Sequence, residues 1–159
     1  MIEIYAASHG EYAKGIVSGL NLLIGEDHQI KDINAYCDEG GISSSAILEA
    51  HFRKIVESAQ TKNNVVVFFT DHQGGSVNNC ATKLMMEYSD VHVIAGMNQS
   101  MLMDFALSDE EDIATRIKDA IEASKESIAY VNELPEILEV KEQLQGTSSN
   151  TENTENDFF

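Results

Sequence analysis

The stretch Met1-Ile-Glu-Ile-Tyr-Ala-Ala-Ser-His9-Gly10-Glu11 decides how this chain is to be read. A short apolar run ends at a histidine and a glycine, and an amphipathic helical pattern (Ala13, Ile16, Val17, Leu20, Ile24) starts directly behind them. A strand that hands over to a helix in this way places His9 in the loop at the strand's C-terminal end, beside a helix N-terminus. In open α/β sheets that edge is where ligands bind. A second loop, Asp71-His72-Gln73-Gly74-Gly75-Ser76, follows another apolar run in the same manner.

The same alternation runs along the chain. Ile2–Ala7, Asp32–Tyr36, Val65–Thr70 and Val91–Ala95 are short and rich in Val, Ile or aromatics, as strands buried on both faces are. Helical stripes fill the gaps: Ala46, Ile47, Ala50, Ile55 and Ala59 in one, and Cys80, Ala81, Leu84, Met85 and Tyr88 in another. This pattern predicts an α/β fold, a doubly wound parallel sheet with helices on both faces. If the strand order is flavodoxin-like, 2-1-3-4, the loops after the first and third strands flank the switch-point crevice and bring His9 to Asp71.

Ser108 and Glu111 form a capping-box pattern before a final helix with the apolar face Ile113, Ile117 and Ile121, and Asp109–Asp112 put negative charge at its start. Ser127–Asn132 is a short β-prone piece. Pro135 interrupts the pattern, and Ile137–Leu144 can form one weak helical segment. From Gly146 to Asp157 the chain has no apolar residue, the composition of a disordered tail or linker remnant. The expected organisation is a domain over 1–133, a helical extension over 134–145 and a polar tail over 146–159.

With 159 residues, 43% of them hydrophobic, the chain can bury one substantial core. Its formal net charge of −17 opposes binding to nucleic acid or anionic lipid and favours a basic patch on a protein partner. Neither a signal-like segment nor an apolar run of spanning length is present, so a cytoplasmic location is expected. Cys37 and Cys80 lie far apart without CxxC or clustered histidine spacing and read as a pair of buried, reduced thiols. No metal and no organic cofactor is expected.

Neutral histidine is a nucleophile that can carry a phosphoryl group on a ring nitrogen, and the side chain ordinarily titrates near about 6.5. Such a site needs a carboxylate to fix the tautomer, donors for phosphate charge and access for a partner. Asp71 is the candidate carboxylate. The Gly74-Gly75-Ser76 turn opening the third helix is the candidate phosphate cradle, with backbone N–H groups and the Ser76 hydroxyl as donors. Taken singly, these residues also fit a surface histidine, a helix N-cap aspartate and a plain turn, or a phosphate-binding module without catalysis. His72 reads as a partly exposed loop side chain; as a second base, or as a metal ligand with His9 and Asp71, it would join the site. His51 reads as solvated surface, His92 as a strand histidine and His28 as a turn residue. Met85, Met86, Met97, Met101 and Met103 read as core.

Three motifs in order resemble one family. Ala7-Ser8-His9-Gly10-Glu11-Tyr12-Ala13-Lys14-Gly15, Asp71-His72-Gln73-Gly74-Gly75-Ser76-Val77-Asn78-Asn79 and Gly96-Met97-Asn98-Gln99-Ser100-Met101-Leu102 are similar to the IIA domain of the mannose family of bacterial sugar phosphotransferase systems, across about residues 1–133. The resemblance implies that His9 takes a phosphoryl group from HPr and passes it to a IIB domain, which serves a IIC/IID membrane permease. It implies that Asp71 is the ring's hydrogen-bond partner and Ser76 a member of the site. It also implies a homodimer in which a short fifth strand near 127–131 is exchanged. A location peripheral to the permease complex would follow. The chain departs from the family's usual pattern at His72, at Val77 and at Gln99-Ser100. Similar first-strand histidines occur in the subunit that feeds dihydroxyacetone kinase, and a regulatory phospho-acceptor domain is a further alternative.

Overall fold

The computed structural model describes residues 1–37 and 41–151, with side chains described through Gly146. β1 (Ile2–His9) is followed by α1 (Tyr12–Ile24), a 3-10 turn (Glu26–His28) and β2 (Ile30–Ala35). Then come α2 (Ser45–Thr61), β3 (Val65–Thr70), α3 (Ser76–Glu87), β4 (Val91–Ala95), α4 (Gln99–Leu107) and α5 (Ile113–Glu126). The four strands form a parallel sheet in the order β2-β1-β3-β4. This is the doubly wound order expected from the sequence.

Because side chains alternate across a strand, each strand feeds two cores. Tyr5, Ala7, Val66 and Phe68 face α2 and α3, where they meet Leu48, Phe52, Val56, Cys80 and Leu84. Ile4, Ala6, Val67 and Phe69 face the other side, where Ala13, Ile16, Leu20, Leu102, Phe105 and Ala120 close over them. The Phe68 ring lies 4.6 Å from that of Phe52, tilted by 31°, and Phe69 meets Phe105 edge-on at 5.1 Å.

Several sequence expectations are displaced. The buried face of α2 is Leu48, Phe52, Val56 and Ala59, whereas Ala46, Ile47 and Ala50 face solvent. The stripe with the larger side chains removes more apolar area from water and takes the inward orientation. A separate helix, α4, precedes the last one predicted: the Asn98 side chain accepts the Met101 amide at 3.0 Å and starts it. Gln99, its first residue, packs its carboxamide onto Gly19 of α1, where an added Cβ would lie 2.8 Å from it. The Ser108 capping box does not form around α5. Asp112 does that work, accepting the Thr115 amide at 2.9 Å, while the Ser108 hydroxyl accepts from Glu110. Met97 and Met101 are core, but Met86 is 79% exposed and Met85 also faces solvent. The two cysteines are free thiols, but only Cys80 is buried as expected; Cys37, just past the end of β2, is partly exposed.

The chain divides into two compact units, Met1–Ser124 and a second beginning at Lys125. The second unit holds a 3-10 turn (Val131–Glu133) and α6 (Pro135–Thr151). Within this chain residues 127–130 join no strand, and Ile128, Tyr130 and Val131 are exposed. The backbone stays helical past Gly146 to Thr151, where the sequence suggests a tail; positions 152–159 of that expected tail lie outside the described residues. Among the described residues no helix is long and apolar enough to cross a membrane.

Candidate functional site

β1 runs two residues past the predicted Ile2–Ala7, so that His9 is the last residue of the strand rather than part of the loop and pairs with Ala35 of β2. Gly10, at φ +59, then turns the chain out of the sheet, a conformation glycine adopts without a Cβ penalty. Its amide donates to the Ala35 carbonyl at 2.8 Å. The buried Ser8 hydroxyl accepts the Ala13 amide at 2.7 Å and ties the start of α1 to the strand. β3 lies next to β1, with Ala7 opposite Thr70. Asp71 therefore emerges at the same sheet edge as His9.

The loop carrying Asp71 is braced from below. Buried Asn78 of α3 accepts the Gly74 amide at 3.2 Å and donates to the Thr70 hydroxyl at 3.0 Å, which donates in turn to the Ile94 carbonyl. Gly74 has φ +78, and the chain then enters α3 at Ser76 with Gly75 as N-cap. Gly75 is also pressed by the site itself: an added Cβ would sit 2.7 Å from the His72 ring and 3.2 Å from that of His9.

Around the imidazole the geometry is closely specified. Asp71 Oδ2 accepts both the His9 amide, at 2.8 Å, and the ring Nδ1, at 2.6 Å. Asp71 Oδ1 accepts the His72 amide at 2.9 Å. An ionised carboxylate accepts only, so Nδ1 carries the proton and Nε2 presents its lone pair. Ser76 Oγ lies 2.9 Å from Nε2. The phenol of Tyr36 donates to that Oγ at 2.7 Å, and its ring stacks on His9 with centroids 5.3 Å apart. His72 sits beside His9 at the same centroid distance, 5.3 Å. The His9 side chain keeps 38% of its surface exposed against 13% for Asp71, so the nucleophilic edge is reachable while the carboxylate is sheltered.

Burial pushes the Asp71 carboxyl up, but the His9 amide, the His9 ring and the His72 amide outweigh it and hold the carboxyl below its ordinary value. Positive potential for an anion comes from α3: the first amides of a helix have no carbonyl partner within it and face outward from its N-terminus. An open groove of about 450 Å³ between α2 and α3 begins at Ser76 and is lined by Ser45, Glu49, Asn79 and Lys83.

His9, Asp71 and His72 each offer one ligand atom within 4.8 Å of the others, a set that suits a transition metal by donor type. A metal on Nδ1 of His9 would have to displace the proton shared with Asp71. The sequence-derived candidates His9, Asp71, Gly74, Gly75 and Ser76 thus fall together, and His72 joins them as a largely exposed side chain. His51 is exposed, and His28 instead accepts the Ile30 amide at 3.0 Å. Tyr36 was not among the sequence candidates. Its signal was its place at the C-terminal end of the second strand, which the 2-1-3-4 order sets against His9. Asn78 and Thr70 carried no such signal, since buried struts look like any other helix and strand positions.

A family model described as EIIA-man, the PTS system fructose IIA component, matches residues 3–126. Over 136 residues the chain is 25% identical to the PTS system mannose-specific EIIAB component of Escherichia coli strain K12, covering 84% of this chain. The chain spans only 41% of that relative's length. The structure of phosphotransferase system component EIIA from Streptococcus agalactiae superposes with a TM-score of 0.72 at 28% identity, over 84% of this chain and 100% of that one. The mannose/sorbose specific IIA subunit from Enterococcus faecalis shares the fold, with a TM-score of 0.67 at 24% identity over 84% of this chain and 96% of its own.

Proposed function

This chain belongs to the EIIA-man family of phosphotransferase-system IIA components, and from that membership and the site geometry we propose that it is a phosphocarrier charged on His9. The phosphoryl group arrives from phosphorylated HPr and leaves to a IIB domain for sugar uptake and phosphorylation. The observation that carries this reading is the His9 ring held by Asp71 on one nitrogen, with the lone pair of the other on a partly exposed edge where the Ser76 hydroxyl meets it.

In the charging step the Nε2 lone pair attacks phosphorus. The N–P bond to His9 forms as the donor's N–P bond breaks, and the donor's nitrogen keeps that electron pair. The Nδ1 proton stays against Asp71, whose negative charge stabilises the ring as it becomes cationic. Asp71 also blocks the competing tautomer, because a bare Nδ1 would face a carboxylate oxygen. The Ser76 hydroxyl and the first amides of α3, including those at Gly75 and Ser76, take up charge on the phosphoryl oxygens. Gly74 and Gly75 let the backbone approach that group. Transfer to IIB is the same displacement in reverse at a new acceptor, so no metal or organic cofactor is required.

Both partner proteins must reach the same nitrogen, and the partial exposure of His9 beside the α2–α3 groove suits sequential docking. As a component serving a permease through IIB, the chain would work in the cytoplasm, peripheral to the IIC/IID complex. A homodimer follows if Ile128–Val131 pairs with the outer edge of β4, the last strand of the sheet, in a second copy; among the described residues this exposed segment joins no strand.

Incubation with phosphoenolpyruvate, enzyme I and HPr tests the reading. Acid-labile, alkali-stable label is expected on wild type and absent from His9→Ala, with onward transfer to a IIB protein of the mannose family. Undiminished label on His9→Ala overturns the assignment.

A further inference from the structure

We propose that Tyr36 is a positioning residue for the phosphoryl site, acting through the Ser76 hydroxyl. This rests on the phosphocarrier reading of His9 and extends it to a residue on a third loop. The geometry forms one directed chain. The Tyr36 O–H donates to Ser76 Oγ at 2.7 Å, and Ser76 Oγ stands 2.9 Å from His9 Nε2. The Nδ1 proton is committed to Asp71 at 2.6 Å. A serine hydroxyl has a single proton on a free rotor. With Tyr36 occupying an acceptor lone pair of Oγ, that proton is directed onto Nε2. Tyr36 and Asp71 therefore select the same tautomer from opposite ends of the ring, and each hydrogen bond polarises the next.

The backbone supports a specific role for this side chain. Tyr36 has φ +63, a left-handed conformation that costs a bulky side chain energy and persists only where the surroundings impose it. Here its amide donates to the Ile42 carbonyl at 2.7 Å, and its ring stacks on His9 at an interplanar angle of 25°. The result points the phenol across the imidazole to Ser76, rather than away from the sheet edge.

Charging changes what the chain must do. The new N–P bond occupies the space in front of Nε2, so Ser76 can no longer donate to that nitrogen. Its proton turns to a phosphoryl oxygen, and the Tyr36 hydroxyl, one link behind, keeps donating to Ser76 Oγ and holds that proton on the phosphoryl group. Through Ser76, Tyr36 thereby orients the nucleophile when the site is empty and steadies the phosphoryl group when it is full.

Tyr36→Phe isolates this role, because it keeps the ring and removes only the hydroxyl. Long-range ¹⁵N NMR of the uncharged protein reads the His9 tautomer directly. The wild type is expected to be almost wholly Nδ1–H, and Tyr36→Phe to show displaced Nε2 shifts. On the charged protein, Tyr36→Phe is expected to shorten the phosphohistidine lifetime and lower the maximal transfer rate about tenfold, with KM for HPr unchanged, as for loss of one hydrogen bond to a charged group. Ser76→Ala cuts the chain at its other link and should displace the same ¹⁵N shifts with Tyr36 intact. The double variant should be no worse than Ser76→Ala alone if Tyr36 acts through it. Unchanged His9 ¹⁵N shifts in Tyr36→Phe overturn the proposal, as does an additive double variant. If HPr charges no histidine in the wild type, the phosphocarrier reading fails, and the NMR comparison still decides whether Tyr36 orients His9.

Discussion

His9 and Asp71 are bound to each other twice through a single oxygen: Asp71 Oδ2 accepts the His9 backbone amide at 2.8 Å and the His9 ring Nδ1 at 2.6 Å. The backbone bond fixes where the carboxylate sits relative to β1. The side-chain bond fixes how the ring is turned and which nitrogen is bare. The geometry of this pair is thereby anchored to the sheet rather than to a loop that could adjust independently.

Removing the charge at this junction while keeping its shape should separate folding from chemistry. Asp71→Asn is expected to fold, because an amide oxygen can still accept from the His9 amide. Phosphoryl transfer should fall by about a hundredfold or more, since the ring loses its tautomer lock and its counter-charge. Stopped-flow transfer from phospho-HPr, alongside a melting curve, measures both; a folded variant with wild-type rates would reduce Asp71 to a loop brace.

The same carboxyl predicts an acid dependence. Its folded value lies below the ordinary 3.8, so the unfolded chain binds a proton there more readily than the folded one. The stability it contributes is complete above the ordinary value and disappears as pH falls through the lower folded value. Melting temperature between about pH 5 and 3 should therefore fall more steeply in wild type than in Asp71→Asn. Parallel curves would show that the carboxylate adds no pH-dependent stability.

Gly75 tests how tightly the site is packed. Its φ of −69° suits any residue, so Gly75→Ala brings no backbone strain. The new methyl would lie 2.7 Å from His72 and 3.2 Å from His9. His72 is exposed and can swing away, whereas His9 is held from both sides. The expected outcome is a near-normal melting temperature with transfer slowed about tenfold, as misplacing a reacting group does. Adding His72→Ala should recover part of the rate, and failure to recover any would place the whole effect on His9.

The exposed segment at Ile128–Val131 predicts concentration-dependent assembly. The Ala129 amide has no hydrogen bond within the described residues, so Ala129→Pro should leave the protomer intact while removing a donor from any ladder made with a second copy. Sedimentation should show a wild-type dimer and a predominantly monomeric variant. A wild type that stays monomeric at all concentrations would end the exchanged-strand idea.

β3 was legible as an uninterrupted apolar run and β1 and β4 nearly so, whereas β2, Ile30–Ala35, carries Lys31, Asp32 and Asn34 and starts two residues before the predicted Asp32–Tyr36. The faces of helices were also less legible. In α2 two stripes compete, Ala46-Ile47-Ala50 and Leu48-Phe52-Val56, and the bulkier one is buried. The start of α5 was misplaced at Ser108 because a capping box needs only residue types at the right spacing. Asp112 caps instead, directly before Ile113, the first residue of the apolar face that packs on the core.

The sequence by itself determined the alternation of strand and helix, the glycines that let loops turn at the sheet edge, and the chemical identities of His9, Asp71 and Ser76. Those properties depend on local pattern and side-chain chemistry. Tertiary structure decided the rest: that Tyr36, left-handed at the end of β2, turns its phenol over His9 onto Ser76; that Asn78 braces the Asp71 loop from Thr70; and that His72 flanks His9. The reason is that hydrogen bonds between residues far apart in sequence exist only after strand order and register have brought their elements together, and neither is encoded in any one segment.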